Sequence, residues 1–218
     1  MKTLIGTLAF LILITSSCKK DELVECPTPV PDIPLNYTPM SIGDYWIYEV
    51  FHVDTNGNDS SLNRTDSMYV SGDTVIDGNT YTVIAGDHFI FGTTRPLILR
   101  DSSGFMVSNG GGIYFSTTDS ITKFNENVTQ SSVGDTLMYW YNQMILNEIQ
   151  VATPAGYFSC TNNQMFFFHT LPQLENPRLY PNYFANNVGQ VIETIGYASQ
   201  PGFYERRLIR YQVTIAIP

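Results

Sequence analysis

From residue 40 onward, apolar positions come in short runs rich in Val, Ile, Thr, Tyr and Phe, broken at close intervals by turn dipeptides. Alternation with a period of two over such runs predicts β-strands rather than helices. "DYWIYEVFHV" (44–53) runs into Asn56-Gly57, a two-residue hairpin signal, and the chain returns over 62–70. A turn centred there sets Glu49 opposite Arg64, Tyr45 opposite Met68 and Phe51 opposite Leu62. "TVIDGNTYTV" (74–83) predicts a second hairpin about Asp77-Gly78, and "LILRDSSGFMV" (97–107) a third about Ser103-Gly104. Three hairpins in succession imply an antiparallel meander.

"AGYFSCTNNQMFFFH" (155–169) reads as a hairpin turning at Asn162-Asn163, with Phe158 opposite Phe167 and Tyr157 opposite Phe168. Aromatics then occupy both faces, which places this pair centrally under a second layer. Residues 171–187, with Pro172, Pro177 and Pro181, read as a long irregular crossing. "VGQVIETIGY" (188–197) and "FYERRLIRYQVTI" (203–215) form a last hairpin around Pro201-Gly202. A turn or two of helix is expected in 141–150 or 173–185. The fold class is all-β: a single antiparallel sandwich or partly open barrel built of hairpins, over 37–218.

Composition agrees with that pattern. Charged residues make up 14% of the chain, well below the ~25% of an average globular protein, and polar uncharged residues that suit strands and turns fill the gap. The net charge of -9 repels a polyanion, which argues against a nucleic-acid partner.

The first 36 residues follow a different rule. Lys2 gives a positive start, and 4–14 form an apolar run too short for the ~20 residues that span a bilayer as a helix. Thr15, Ser16 and Ser17 lead directly into Cys18, followed by Lys19, Lys20, Asp21 and Glu22, then by Pro27, Pro29, Pro31 and Pro34. The small residues and the cysteine resemble the lipobox of bacterial lipoproteins, in the looser form used by Bacteroidota, with Thr15 in place of the usual Leu. That resemblance implies a signal peptide over 1–17 and a lipidated Cys18 as the first mature residue. Two or more acyl chains, at ~0.8 kcal/mol per buried CH₂, anchor a protein stably to a membrane. Lys20, Asp21 and Glu22 resemble the signal that sends Bacteroidota lipoproteins to the outer face of the outer membrane. The prolines stiffen 18–36 into a polyproline-II spacer of ~3 Å per residue. "YTPMSIGDYWIYEV" (37–50), "AGYFSC" (155–160) and "NNVGQVIETI" (186–195) resemble small Bacteroidota lipoproteins, a group that implies a fold and a location and no activity.

With Cys18 acylated, Cys26 and Cys160 remain, either bridged or as one tether thiol and one buried thiol. Asp66-Ser67, Asp73-Thr74, Asp119-Ser120 and Asp135-Thr136, each followed by an aliphatic residue, resemble the Bacteroidota O-glycosylation pattern. Asp-Ser and Asp-Thr also cap turns without any modification.

Other chemistry is weakly signalled. Asp54, Asn56 and Asn58 alternate like a calcium loop, but Gly57 and Thr65 break the pattern, and a hairpin tip explains them better. Ser120 and Lys123 match a Ser-x-x-Lys motif, yet "STTDSITKF" alternates as a strand and parts the two side chains. The predicted register keeps Cys160, opposite Met165, away from His169, opposite Gly156. His52, His88 and His169 lack metal-ligand spacing. Gly110, Gly111 and Gly112 precede a strand, which makes a loop rather than a phosphate cradle. Arg206, Arg207 and Arg210 fall on both faces of a strand and find partners among the excess acids. No catalytic residue and no cofactor is assigned. The leading expectation is a non-catalytic binding or accessory module displaying Tyr and Trp to a glycan or protein partner. A carrier of a hydrophobic ligand in a half-barrel groove is the alternative, and a hydrolase the third.

Overall fold

The computed structural model describes residues 36–86, 95–170, 177–197 and 200–214. Among them are twelve strands and no helix: β1 (Tyr45–Val53), β2 (Asp59–Ile76), β3 (Asn79–Gly86), β4 (Leu97–Ser102), β5 (Phe105–Ser108), β6 (Ile113–Ser116), β7 (Phe124–Gln130), β8 (Thr136–Thr153), β9 (Gly156–His169), β10 (Arg178–Ala185), β11 (Gly189–Gly196) and β12 (Phe203–Gln212). They form one antiparallel sheet in the order β6-β5-β4-β3-β2-β1-β12-β11-β10-β9-β8-β7, a nearly closed barrel. The chain is all-β as expected, and of the two architectures expected it builds the barrel rather than the sandwich.

The sheet edges, β6 and β7, are consecutive in sequence, and one side chain stitches them. Asn125 has φ 54°; its Nδ2 donates to the Ile113 carbonyl (2.7 Å) and its Oδ1 accepts the Ile113 N–H (2.9 Å). A side-chain amide thus supplies the donor and acceptor that a neighbouring strand would otherwise present.

Strand β1 shows why the alternation was readable. Trp46, Tyr48 and Val50 are buried while Tyr45, Ile47 and Glu49 between them are half-buried. Asp66, Met68 and Val70 of β2 and Leu208 of β12 are buried beside them. Full burial of a Val or Leu side chain stabilises by about 1.5–3 kcal/mol, so Val50 and Leu208, both fully buried, are principal anchors of this wall.

Two hairpins form as predicted: Asp77 and Gly78 (φ 49° and 77°), and Ser103 and Gly104 (φ 56° and 86°), close two-residue turns with both φ positive. Strands β11 and β12 form the predicted last hairpin. The first hairpin differs. Asp54 folds the tip into a wider loop, its Oδ1 accepting the N–H of Asn56 and Asn58 and its N–H donating to the Asn58 carbonyl. Phe51 consequently faces Ser61, not Leu62; beyond a bulge at Asn63 (φ 53°), Glu49 faces Thr65, not Arg64, and Tyr45 faces Tyr69, not Met68.

The Asn162-Asn163 turn is overturned: β9 runs straight through it, and β8 and β9 turn instead between Thr153 and Gly156. Phe158 thus faces Val151, Tyr157 faces Ala152, Phe167 faces Trp140 and Phe168 faces Tyr139. The helix expected over 141–150 is part of β8. The irregular crossing contains β10, despite Pro181 in its middle. Asparagine side chains replace the missing ladder bonds there. Asn182 Oδ1 accepts the Thr194 N–H (3.2 Å) and Asn162 Oδ1 accepts the Asn182 N–H (3.0 Å). Residues 117–123, predicted as strand, are a loop between β6 and β7.

Candidate functional site

A cleft of about 370 Å³ opens beside β8, and three local features make it. The first is a bulge: Ile145 pairs with Asn162 but Ile149 pairs with Cys160, so three residues of β8 oppose Thr161 alone. The second is the 117–123 loop, which Gln143 holds by donating from Nε2 to the carbonyls of Ser120 (2.9 Å) and Ile121 (3.3 Å). Asp119 stiffens that loop by accepting the N–H of Ile121 and Thr122, and hydrogen bonds from Thr122 and Ile121 hold its carboxyl below the usual range. The third is a ring stack. Phe166 lies on Tyr141 at 5.0 Å and 17°, and Lys123 Nζ sits 4.3 Å from the centre of the Tyr141 ring.

Phe166 lines the cleft with Ser120, Gln143 and Asn147, and with Ile145 and Leu146 as apolar margin. None of the lining residues is charged. Ile121, Ile145, Leu146 and Ile149 remain exposed around it. An aromatic wall with amides and a hydroxyl suits a neutral ligand that has both apolar faces and hydroxyl groups.

The barrel interior is a poor alternative. Its cavity, lined by Trp46, Tyr48, Met68, Tyr114, Phe184 and Gln190 among others, holds about 30 Å³, the volume of roughly one water. Trp46 Nε1 donates to the Val188 carbonyl, Tyr48 OH to the Gln190 carbonyl and Tyr114 OH to Gln190 Oε1. Burial raises the Tyr48 and Tyr114 phenols far above their ordinary range. Beside them, Arg206 pairs with Glu193 and lies 4.0 Å from Asp66, which Arg64 also contacts at 2.9 Å. These buried acids are matched by guanidinium groups rather than arranged as an acid and base around a substrate space.

Cys18, Lys20, Asp21 and Glu22 lie outside the described residues, as does Cys26 of the considered bridge. Cys160 is fully buried, and burial, aided by the charge of Glu148, raises its thiol to about 12. Cys160 and His169 are nine residues apart on one strand, roughly 30 Å at ~3.4 Å per residue. They are thus separated for a different reason than the expected register. Of the possible O-glycosylation positions, Ser67, Ser120 and Thr136 are exposed and Thr74 is half-buried. Asp66, which precedes Ser67, is buried against Arg64 and Arg206. Ser120 and Lys123 take separate roles, one on the cleft and one on the ring stack. Asp54 forms a hairpin tip, and Gly110 to Gly112 form a loop in which the Gly112 carbonyl accepts the Ser108 N–H.

Two of the three arginines of the cluster pair with acids as expected, Arg206 with Glu193 and Arg207 with Asp59 and Glu205, whereas Arg210 lies 6.0 Å from the centre of the Tyr45 ring. No His, Cys, Asp and Glu grouping suited to a metal occurs among the described residues. The displayed tryptophans are not found: Trp46 is core, and Trp140 is half-buried and stacked on Phe167. The cleft was not among the sequence-based expectations; its one local signature is the apolar pair Ile145-Leu146 beside polar Gln143 and Asn147.

No protein-family model matches the chain, and no curated protein matches it. Two crystal structures are similar to it at 13% identity, each over 82% of this chain. One is a candidate exported protein with a YmcC-like fold from Bacteroides fragilis (TM-score 0.47, 100% of that chain). The other is a candidate lipoprotein from Parabacteroides distasonis (TM-score 0.46, 99% of that chain).

Proposed function

We propose that this protein is a lipid-anchored, non-catalytic binding module of the Bacteroidota cell surface that holds a neutral glycan in the cleft beside Phe166. The location rests on the N-terminal segment. Cys18 carries the lipid, Lys20, Asp21 and Glu22 direct export to the outer face of the outer membrane, and the prolines hold the domain off the bilayer. Ser67, Thr74, Ser120 and Thr136 are O-glycosylation positions in this reading. Buried Asp66 restricts modification of Ser67 to a chain that has not yet folded.

The observation that carries the ligand reading is the uncharged cleft of about 370 Å³ with Phe166 as its wall. That space falls within the ~300–1,000 Å³ of small-ligand sites. Ser120 and Asn147 supply hydroxyl and amide groups for sugar hydroxyls, Gln143, whose Nε2 holds the loop, offers its Oε1 as acceptor, and the Phe166 ring supplies an apolar surface for the sugar's C–H face.

The test is an array of neutral and acidic oligosaccharides probed with the mature protein. Retention of neutral members over uronate-bearing ones supports the reading. Retention of none, or of acidic members alone, contradicts it.

A further inference from the structure

Strand β7 ends the sheet, and among the described residues only the Asn125 side chain engages its outer edge. Of the five residues that follow, Asn127 to Gln130 pair on one side only, with β8, and Glu126 lies in the bulge between Phe124 and Asn127. Open edges are normally blunted by charged side chains, proline, bulges or a covering segment. Here the bulge at Asn125 and Glu126 protects only the start of the edge, and beyond it the sequence is Asn-Val-Thr-Gln, with no charge and no proline, and Val128 is 48% exposed.

We infer that this edge pairs antiparallel with the same edge of a second copy about a two-fold axis at Val128. That centring sets Val128 against Val128, Asn127 against Thr129 and Glu126 against Gln130. Apolar meets apolar, amide meets hydroxyl, and the one charge of the segment meets an amide rather than its own kind. Moving the axis one residue toward Asn127 puts Val128 opposite Glu126, and moving it one residue toward Thr129 puts Val128 opposite Gln130, so each loses the Val–Val pair. Glu126 also accepts the Tyr139 hydroxyl at 2.7 Å, which holds its carboxylate on its own subunit. An isologous contact of this kind closes after two subunits. The sheet of one barrel then continues into the next, independently of the cleft.

Cysteine cross-linking of the full chain in membranes tests the axis. In an antiparallel pair, residues directly opposite lie about 4.5–5.5 Å apart at Cα, within disulfide reach. Val128→Cys therefore yields a disulfide-linked dimer on mild oxidation, resolved on a non-reducing gel. Glu126→Cys, whose two copies are staggered by four residues or about 14 Å, gives at least tenfold less. The parent chain, with its own cysteines, sets the background. Absence of the Val128→Cys dimer, equal yields from the two variants, or cross-linking of Val128→Cys only to a species of another mass each overturns the proposal.

Discussion

Arg206 of β12 and Glu193 of β11 stand directly opposite each other and form an ion pair inside the barrel. Arg206 is 2% exposed and Glu193 14%, so neither charge is well hydrated. Asp66 lies on the other side of Arg206, and Arg64 beyond it, giving four charges of alternating sign. Removing one member of a buried pair leaves the other uncompensated and costs about 3–5 kcal/mol. Glu193→Ala is expected to lower unfolding free energy by that order in urea titration. A loss below about 1 kcal/mol would show that Asp66 alone satisfies Arg206.

The Asn125 stitch makes a smaller, local prediction. Both of its hydrogen bonds to Ile113 are solvent-exposed, so Asn125→Ala should cost about 1 kcal/mol in total, the net worth of such bonds. Amide exchange at Ile113 should accelerate while amides of β1 and β12 keep their protection. Unchanged exchange at Ile113 would mean that the barrel seam does not depend on this side chain.

Gly196 ends β11, and the space a Cβ would occupy there is filled by the Tyr180 ring. Gly196→Ala therefore overpacks the barrel end and should destabilise by about 1–3 kcal/mol. The thermal midpoint of the variant against that of the parent measures it, and an unchanged midpoint would contradict the packing described.

The Cys160 thiol, pushed up to about 12 by burial, is almost wholly protonated at pH 8, and only a thiolate attacks thiol reagents. Cys160 should resist iodoacetamide for hours in the folded protein and react within minutes in denaturant. A rapid reaction without denaturant would place Cys160 at the surface. The same titration of unfolded, unreduced chain decides whether Cys26 is bridged to it.

Legibility followed the range of the interaction that fixes each element. Asp77-Gly78 and Ser103-Gly104 were readable because a two-residue turn demands positive φ from those residues themselves. Asn56-Gly57 misled by one residue because Asp54, two positions earlier, captures the backbone of the loop. Asn162-Asn163 resembled a turn, yet these residues lie in a strand because their side chains bond to partners far along the chain: Asn182, Asn142 and the Tyr114 carbonyl. Pro181 read as a break for the complementary reason, since its ladder is repaired by Asn182, which no local pattern reveals. The cleft required Gln143 to find a loop more than twenty residues upstream. Phe166 was recognised as part of an aromatic strand but paired with the wrong strand.

The proposal of a glycan-binding cleft is tested most directly by calorimetric titration of the best neutral oligosaccharide into the parent protein, Phe166→Ala and Tyr157→Ala. Tyr157 is 83% exposed, on the same strand but remote from the cleft. Phe166→Ala is expected to lose about tenfold or more in affinity, ~1.4 kcal/mol, with Tyr157→Ala unchanged. Equal affinity for all three proteins, or a loss confined to Tyr157→Ala, would contradict it.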